Sequence, residues 1–214
     1  MINLMYIVLT AMLALNVSSD VLNGFTQVEE GLTRTNNNVE ERNAAILHTL
    51  ESFASQNPDK GKKWFDKASE VRRITEQVYL HIDTLKHLIV KEADGSDGDV
   101  SNILNRDNLE AASYVMLSGQ RPRGEKLRQT IESYCNYIAS LMPDTLKRNT
   151  VEKALSTEAV LRKGTLGKQS WAESKFDNQP VVAAVTLLTK LQNDVKYAEG
   201  EALSTLLANV DAGD

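Results

Sequence analysis

The side chains in this 214-residue chain with the most chemistry to offer are three histidines, one cysteine and a few adjacent acid pairs. His48, His81 and His87 do not form an i, i+4 pair, so no two of them share a helix face as a zinc-binding pair would. The sequence has no H-E-x-x-H, no phosphate-cradling glycine loop and no nucleophile elbow. His87 follows Asp83 by four residues, the spacing of a helix-surface pair. Glu29-Glu30 and Glu40-Glu41 are adjacent, which on a helix points them about 100° apart and places them poorly for two-carboxylate catalysis. The single Cys135 excludes an internal disulfide framework and a multi-cysteine metal site; beside Tyr134 on an apolar flank, with no histidine nearby in sequence, it reads as a buried structural thiol. Ala93 to Asp99 is rich in Asp and Gly but lacks the D-x-[DN]-x-[DN]-G frame and its twelfth-position glutamate, so it reads as a turn. No catalytic, cofactor-binding or metal-binding residue emerges, and no enzyme activity is expected.

The remaining chemistry is that of polar groups set in hydrocarbon. Met1 to Ser19, MINLMYIVLTAMLALNVSS, contains no Asp, Glu, Lys or Arg. A helix of that length covers about 28 Å, close to the ~30 Å of a bilayer core, so residues 1–19 are expected to form a single transmembrane helix. A cleaved signal peptide would need a basic start and a small-x-small end, whereas no Lys or Arg precedes Arg34 and Asn16-Val17-Ser18 fits poorly. A buried core helix is the lesser reading for a segment apolar around its whole circumference. Within the span, Asn3, Tyr6 and Thr10 fall at i, i+3 and i+7 on one face, and Asn16 lies off that stripe. Such groups turn towards a partner helix that satisfies them or, for Tyr6 and Asn16, anchor near the headgroups. The span has no residue to carry a proton, so in an ion-driven assembly that residue would sit on another chain.

The elements that position these groups are helices. The net charge of -5 and pI of about 5.3 argue against a nucleic-acid partner. From Asp20, Phe25, Leu32, Val39, Ile46 and Phe53 recur every seven residues, a bundle or coiled-coil seam that weak helix formers at Gly24, Gly31 and Asn36-Asn37-Asn38 could kink or break. Trp64, Ala68, Val71, Thr75, Val78, Ile82, Leu85 and Ile89 predict a second helix from about Lys60 to Glu92, with Lys67, Glu70, Arg72, Arg73 and Glu76 mainly on a solvated face. Shorter helices are expected from about Asp107 to Leu117 and from Gly124 to Leu141. Residues 144–178 are irregular, with Val151 to Leu155 and Glu158 to Arg162 as candidate short helices and Trp171 and Phe176 as anchors. A last helix begins near Pro180, with Asn178 as its cap, and carries Ala184, Leu188, Leu191, Val195, Ala198 and Ala202. Strand-like alternation is absent. The fold class is all-α: a membrane helix over 1–19, a helical bundle over 20–210 and a linker or boundary over 211–214.

The run MINLMYIVLTAMLALNVS with Val21-Leu22 and Phe25 resembles the membrane helix of the GldM/PorM family of gliding-motility and type IX secretion proteins. Phe176-Asp177-Asn178-Gln179-Pro180, leading into Leu191-Gln192-Asn193-Asp194-Val195 and Ala198-Glu199, is similar to the end of that family's first periplasmic domain. The resemblance implies a motor subunit driven by the proton motive force. It would be a single-pass inner-membrane homodimer with its bulk in the periplasm, its helices threaded through a GldL/PorL ring that carries the acidic membrane residue. GldK/PorK and GldN/PorN would be reached through regions beyond this chain. Asn3, Tyr6, Thr10 and Asn16 would then be the contacts to the partner helices. Family members usually carry a basic segment before the Met-Ile-Asn-Leu-Met run and β-rich domains after the helical one, so the resemblance implies a motor-core fragment trimmed at both ends. A different reading of the same pattern is a membrane-tethered extracytoplasmic bundle that senses or binds a small ligand.

Overall fold

Ser18 accepts the Val21 amide N–H and opens the first long helix, α1 (Ser19–Gln56), in the computed structural model, which describes residues 3–7, 17–162, 164 and 167–212. At 38 residues α1 is about 57 Å long. It runs unbroken through Asn36-Asn37-Asn38, because the weak helix former Asn36 is held by packing: it is buried and donates its amide across to a neighbouring helix. Asn57 ends α1, and Pro58, whose missing N–H costs nothing in a first turn, begins α2 (Pro58–Asp94) at once. The turn is so tight that a Cβ on Gly61 would lie 2.7 Å from Phe53 Cδ1 and 2.8 Å from Ala54 Cα.

Four shorter helices follow: α3 (Ala111–Leu117), α4 (Arg123–Ser140), α5 (Thr145–Ala154) and α6 (Trp171–Phe176). Asp144 caps α5 through the Leu146 and Lys147 amides, and Ser170 with Glu173 forms a reciprocal capping box at α6. Trp171 and Phe176 meet edge to face at 6.1 Å between ring centres, both buried, and so pin the irregular segment to the bundle as expected. Two expectations fail in this region. The third helix begins at Ala111 rather than Asp107, because Asn108 spends its side chain on the Glu110 and Ala111 amides and turns the chain there. Residues 158–162 are not helical: β1 (Val160–Leu161) pairs antiparallel with β2 (Lys168–Gln169), Val160 opposite Gln169. β1 is exposed and lacks the apolar helical face that would have docked it.

The last helix, α7 (Val181–Asp211), is buried on nearly every side. Asn178 is not its cap. That residue sits at φ 57° with its N–H donated to Ser113 Oγ, and the first helical amides, Val181 and Val182, donate instead to the carbonyls of Asn108 and Arg106. A loop distant in sequence therefore satisfies a helix start that would otherwise be orphaned.

Long helices α1, α2 and α7 make the core. Asn36 bonds to Thr189 and Asn43 to Lys196, the same sequence separation of 153 in both, so α1 and α7 run parallel in a fixed heptad register. Lys86 lies near Glu29 and Arg72 near Glu40, which sets α2 antiparallel to both. Helix α4 closes the side: Tyr134 donates to the Val195 carbonyl at 3.0 Å and so receives the Thr75 hydroxyl at 2.8 Å. That bond explains the one polar residue in the apolar seam of α2. Among the described residues no helix is long and apolar enough to cross a membrane. Of the first nineteen residues, 3–7 are described as exposed helix and 17–19 lead into α1, while the others, Thr10 and Asn16 included, lie outside the described residues.

Candidate functional site

The buried residues of α1 are Leu22, Asn36, Asn43, Leu50 and Ala54, and half-buried Glu29 completes a line of Leu22, Glu29, Asn36, Asn43 and Leu50, each seven after the last. The Phe25-to-Phe53 line foreseen from the sequence stands beside them and is only half-buried. Three consecutive layers of the helix seam are thus polar, and α7 answers them with Thr189, Gln192, Lys196 and Glu199, all buried. Polar side chains at such positions cost stability and fix register and partner choice.

The central layer joins all three long helices. Arg72 of α2 reaches Glu40 of α1 with both terminal nitrogens and donates Nη1 to Glu199 Oε1 of α7 at 2.9 Å. Lys196 donates to Glu40 Oε2 at 2.6 Å and to Glu76 Oε1 at 3.0 Å, and its ammonium lies 5.0 Å from the Tyr79 ring centre. Asn43 divides its amide between the Lys196 carbonyl, 2.8 Å, and Glu199 Oε1, 2.9 Å. Arg72 and Glu76, expected on the solvated face of the second helix, therefore turn inwards: a long side chain reaches round the helix to a charge that lies behind it. A second layer, nearer the start of α1, sets Lys86 against Gln192 Oε1 at 3.1 Å and Glu29 at 3.8 Å, with the Thr189 hydroxyl donating to Glu29 Oε1 at 2.7 Å.

Burial and pairing compete within these layers. Glu40 pays desolvation but is held below the usual carboxylate range by its bonds to Arg72 and Lys196. For Glu199, whose side chain is fully buried, desolvation outweighs the nearby Lys196 and Arg72 and pushes the carboxyl up. Glu29 is likewise raised, burial outweighing Thr189 and Lys86. Burial disfavours the Lys196 cation, yet Glu40, Glu199 and Glu76 raise it above an ordinary lysine. One oxygen of each raised acid, Glu29 Oε2 and Glu199 Oε2, has no hydrogen-bond partner among the described residues; nor do Asn36 Oδ1 and Asn43 Oδ1 on the same seam.

Other residues singled out from the sequence fall elsewhere. Asn3 and Tyr6 lie on an exposed helical stretch, and Thr10 and Asn16 are outside the described residues. His87 pairs with Asp83 on the surface, its Nδ1 3.6 Å from the carboxylate. Cys135 is a free, buried thiol whose pKa burial raises, which makes it a poor nucleophile. Asp94 uses its carboxylate on the Leu104 and Asn105 amides, a loop clamp. A surface groove of about 750 Å³ opens between α1, α2 and the 99–106 loop, lined by Glu30, Arg34, Asp83, His87 and Arg106. Apolar periodicity does not reveal the buried charge layers. The signal was present in Glu29, Asn36 and Asn43, polar residues seven apart and four places after the half-buried apolar line.

A helical bundle whose long parallel helices are keyed by interior charges is a structural interaction module, a class that holds geometry between its two ends. Residues 20–209 match the family model described as the GldM N-terminal domain. The chain belongs to that family, a component of the gliding-motility and type IX secretion machinery and not a known enzyme family. No curated protein matches the chain.

Proposed function

We infer that the chain is the inner-membrane motor subunit of the type IX secretion and gliding system, its N-terminal helix over residues 1–19 seated among the helices of a GldL/PorL-like ring. The family match over residues 20–209 carries this reading. In it, proton flow through the ring moves the membrane helix, and α1, which starts within a few residues of the apolar run, takes that motion into the periplasm. The charge layers that lock α1 to α2 and α7 suit it to act as one stiff lever, and periplasmic partners such as GldK/PorK and GldN/PorN receive the motion through regions beyond this chain. Asn3, Tyr6, Thr10 and Asn16 are the contacts to the ring, because an unsatisfied polar group in hydrocarbon is costly. Copurification with a small polytopic membrane protein tests this. It should weaken when Asn3, Tyr6 and Thr10 become Leu, and unchanged recovery would reject those residues.

A homodimer belongs to the same reading. Val21, Gly24, Val28 and Gly31 form a stripe at alternating three- and four-residue steps, with Val21 and Val28 half-exposed at 50% and 53%. A Cβ on Gly24 would touch nothing within 4 Å. A second copy of α1 laid along this stripe would bury it without displacing the bundle. Val28→Cys should then give a disulfide-linked dimer in membranes, while an exclusively monomeric product would argue against this face. The groove beside Arg34 and Arg106 favours the ligand-binding alternative, which predicts thermal stabilisation of the full chain by a small polar molecule.

A further inference from the structure

The central charge layer holds three carboxylates, Glu40, Glu76 and Glu199, against two cations, Arg72 and Lys196. An excess negative charge inside a helix bundle is costly unless something neutralises it. The geometry shows where neutralisation is cheapest. Glu40 and Glu76 are both partly open to solvent, with 36% and 42% of their side chains exposed, whereas Glu199 is closed off at 0%. Every hydrogen bond made to Glu199 falls on Oε1, from Arg72 and Asn43, and Oε2 is buried with none. Facing it, Asn43 has spent both amide hydrogens, on the Lys196 carbonyl and Glu199 Oε1, and its own oxygen is buried and unpartnered. That oxygen lies against α7 at Gly200, the residue after Glu199, where a Cβ would come within 2.6 Å of it.

We propose that Glu199 is the proton-binding group of a latch between α1, α2 and α7, closed while the proton is bound and loosened when it leaves. The proton comes from solvent and forms an O–H bond at Oε2. The layer then holds two carboxylates against two cations, and the new O–H gives the seam of buried acceptors a donor beside Asn43. When the proton leaves, the full negative charge faces Glu40 and Arg42 from α1, Arg72 and Glu76 from α2, Tyr134 from α4 and Lys196 on its own helix. Only Arg72 and Lys196 of these oppose it at close range. The parallel α1 and α7, which lead to the two ends of the chain, are the elements released. This inference is independent of the membrane reading, since it concerns only the bundle over residues 20–209.

The upward displacement of Glu199 by burial agrees in sign. A raised carboxyl binds its proton better folded than unfolded, so its contribution is present at low pH and is lost as pH rises through the folded value. The test compares melting temperatures of the full chain, wild type and Glu199→Gln, from about pH 8 down to the ordinary carboxylate value of 4.5. The glutamine keeps the shape and stays neutral. At the upper end it should melt about 2–4 °C above wild type, and this advantage should shrink as pH falls and wild type takes up its proton. Glu201→Gln, a neighbour at the rim, should track wild type throughout. A difference between Glu199→Gln and wild type that does not change with pH, or that grows as pH falls, overturns the proposal. Should Glu199→Gln fail to fold, the decision passes to a Glu29→Gln/Asp194→Asn chain, which retains Glu199 and lacks the other two acids that burial raises. A buried carboxylic-acid infrared band present at the lower pH and lost at the upper supports the latch, and its absence at both overturns it.

Discussion

At the scale of single residues, Arg72 bridges two acids from two different helices, and its removal exposes what the charge layer does. Arg72→Ala leaves Glu40 and Glu199 to face each other with Lys196 alone between them. Breaking a buried pair in this way costs several kcal/mol, and because Glu40 keeps some contact with water the loss should fall near the low end, about 3 kcal/mol. Urea denaturation at neutral pH checks this, a loss below about 1 kcal/mol marking the layer as ornamental. Replacing the whole layer with apolar residues of similar volume should by contrast be close to neutral in stability, so the layer's contribution lies in register and not in stability. Few of these residues stood out in the sequence. Thr75 did, as a lone break in an apolar seam, and Tyr134 explains it. Arg72 and Glu76 did not, because a helical pattern says which way a Cα points and not where a long side chain ends.

At the scale of elements, two tight features hold the long helices in place. The turn from α1 to α2 works because Gly61 lets the helices meet within van der Waals contact of Phe53 and Ala54. Gly61→Ala would ordinarily help a helix, but here the added methyl presses on backbone as well as a ring, so a net loss of about 1–3 kcal/mol is expected by thermal denaturation. The second feature is the Asp94 clamp at the end of α2. Burial opposes its charge, but the Leu104 and Asn105 amides hold its carboxyl below the ordinary aspartate range. A lowered acid stabilises the fold above its unfolded value and loses that contribution as pH falls through the folded one. The protection factors of the Leu104 and Asn105 amides, measured rates taken against the intrinsic rate at each pH, should therefore fall on acidification through that range, and Asp94→Asn should already show the low protection at neutral pH. Unchanged protection in the variant would dismiss the clamp. Helices themselves were the most legible part of the sequence: the four-three spacings of α2, α4 and α7 all returned as buried faces. The 158–162 segment was misread because two-residue strands leave no periodicity, and the start of α7 because its amides are satisfied by a loop over seventy residues earlier.

At the scale of the whole molecule, parallel α1 and α7 with antiparallel α2 make a long three-helix body braced on one side by α4, and its family places it in the gliding and type IX secretion machinery. Architecture of this kind preserves a spacing between its ends, which is what the proposed lever requires. The central claim is that the apolar residues 1–19 stay on the chain and in the bilayer. Membrane fractionation followed by intact-mass measurement of the recovered chain tests it most directly. The account predicts a chain that resists alkaline extraction from the membrane and retains its first nineteen residues. A chain released in soluble form with those residues removed would contradict it.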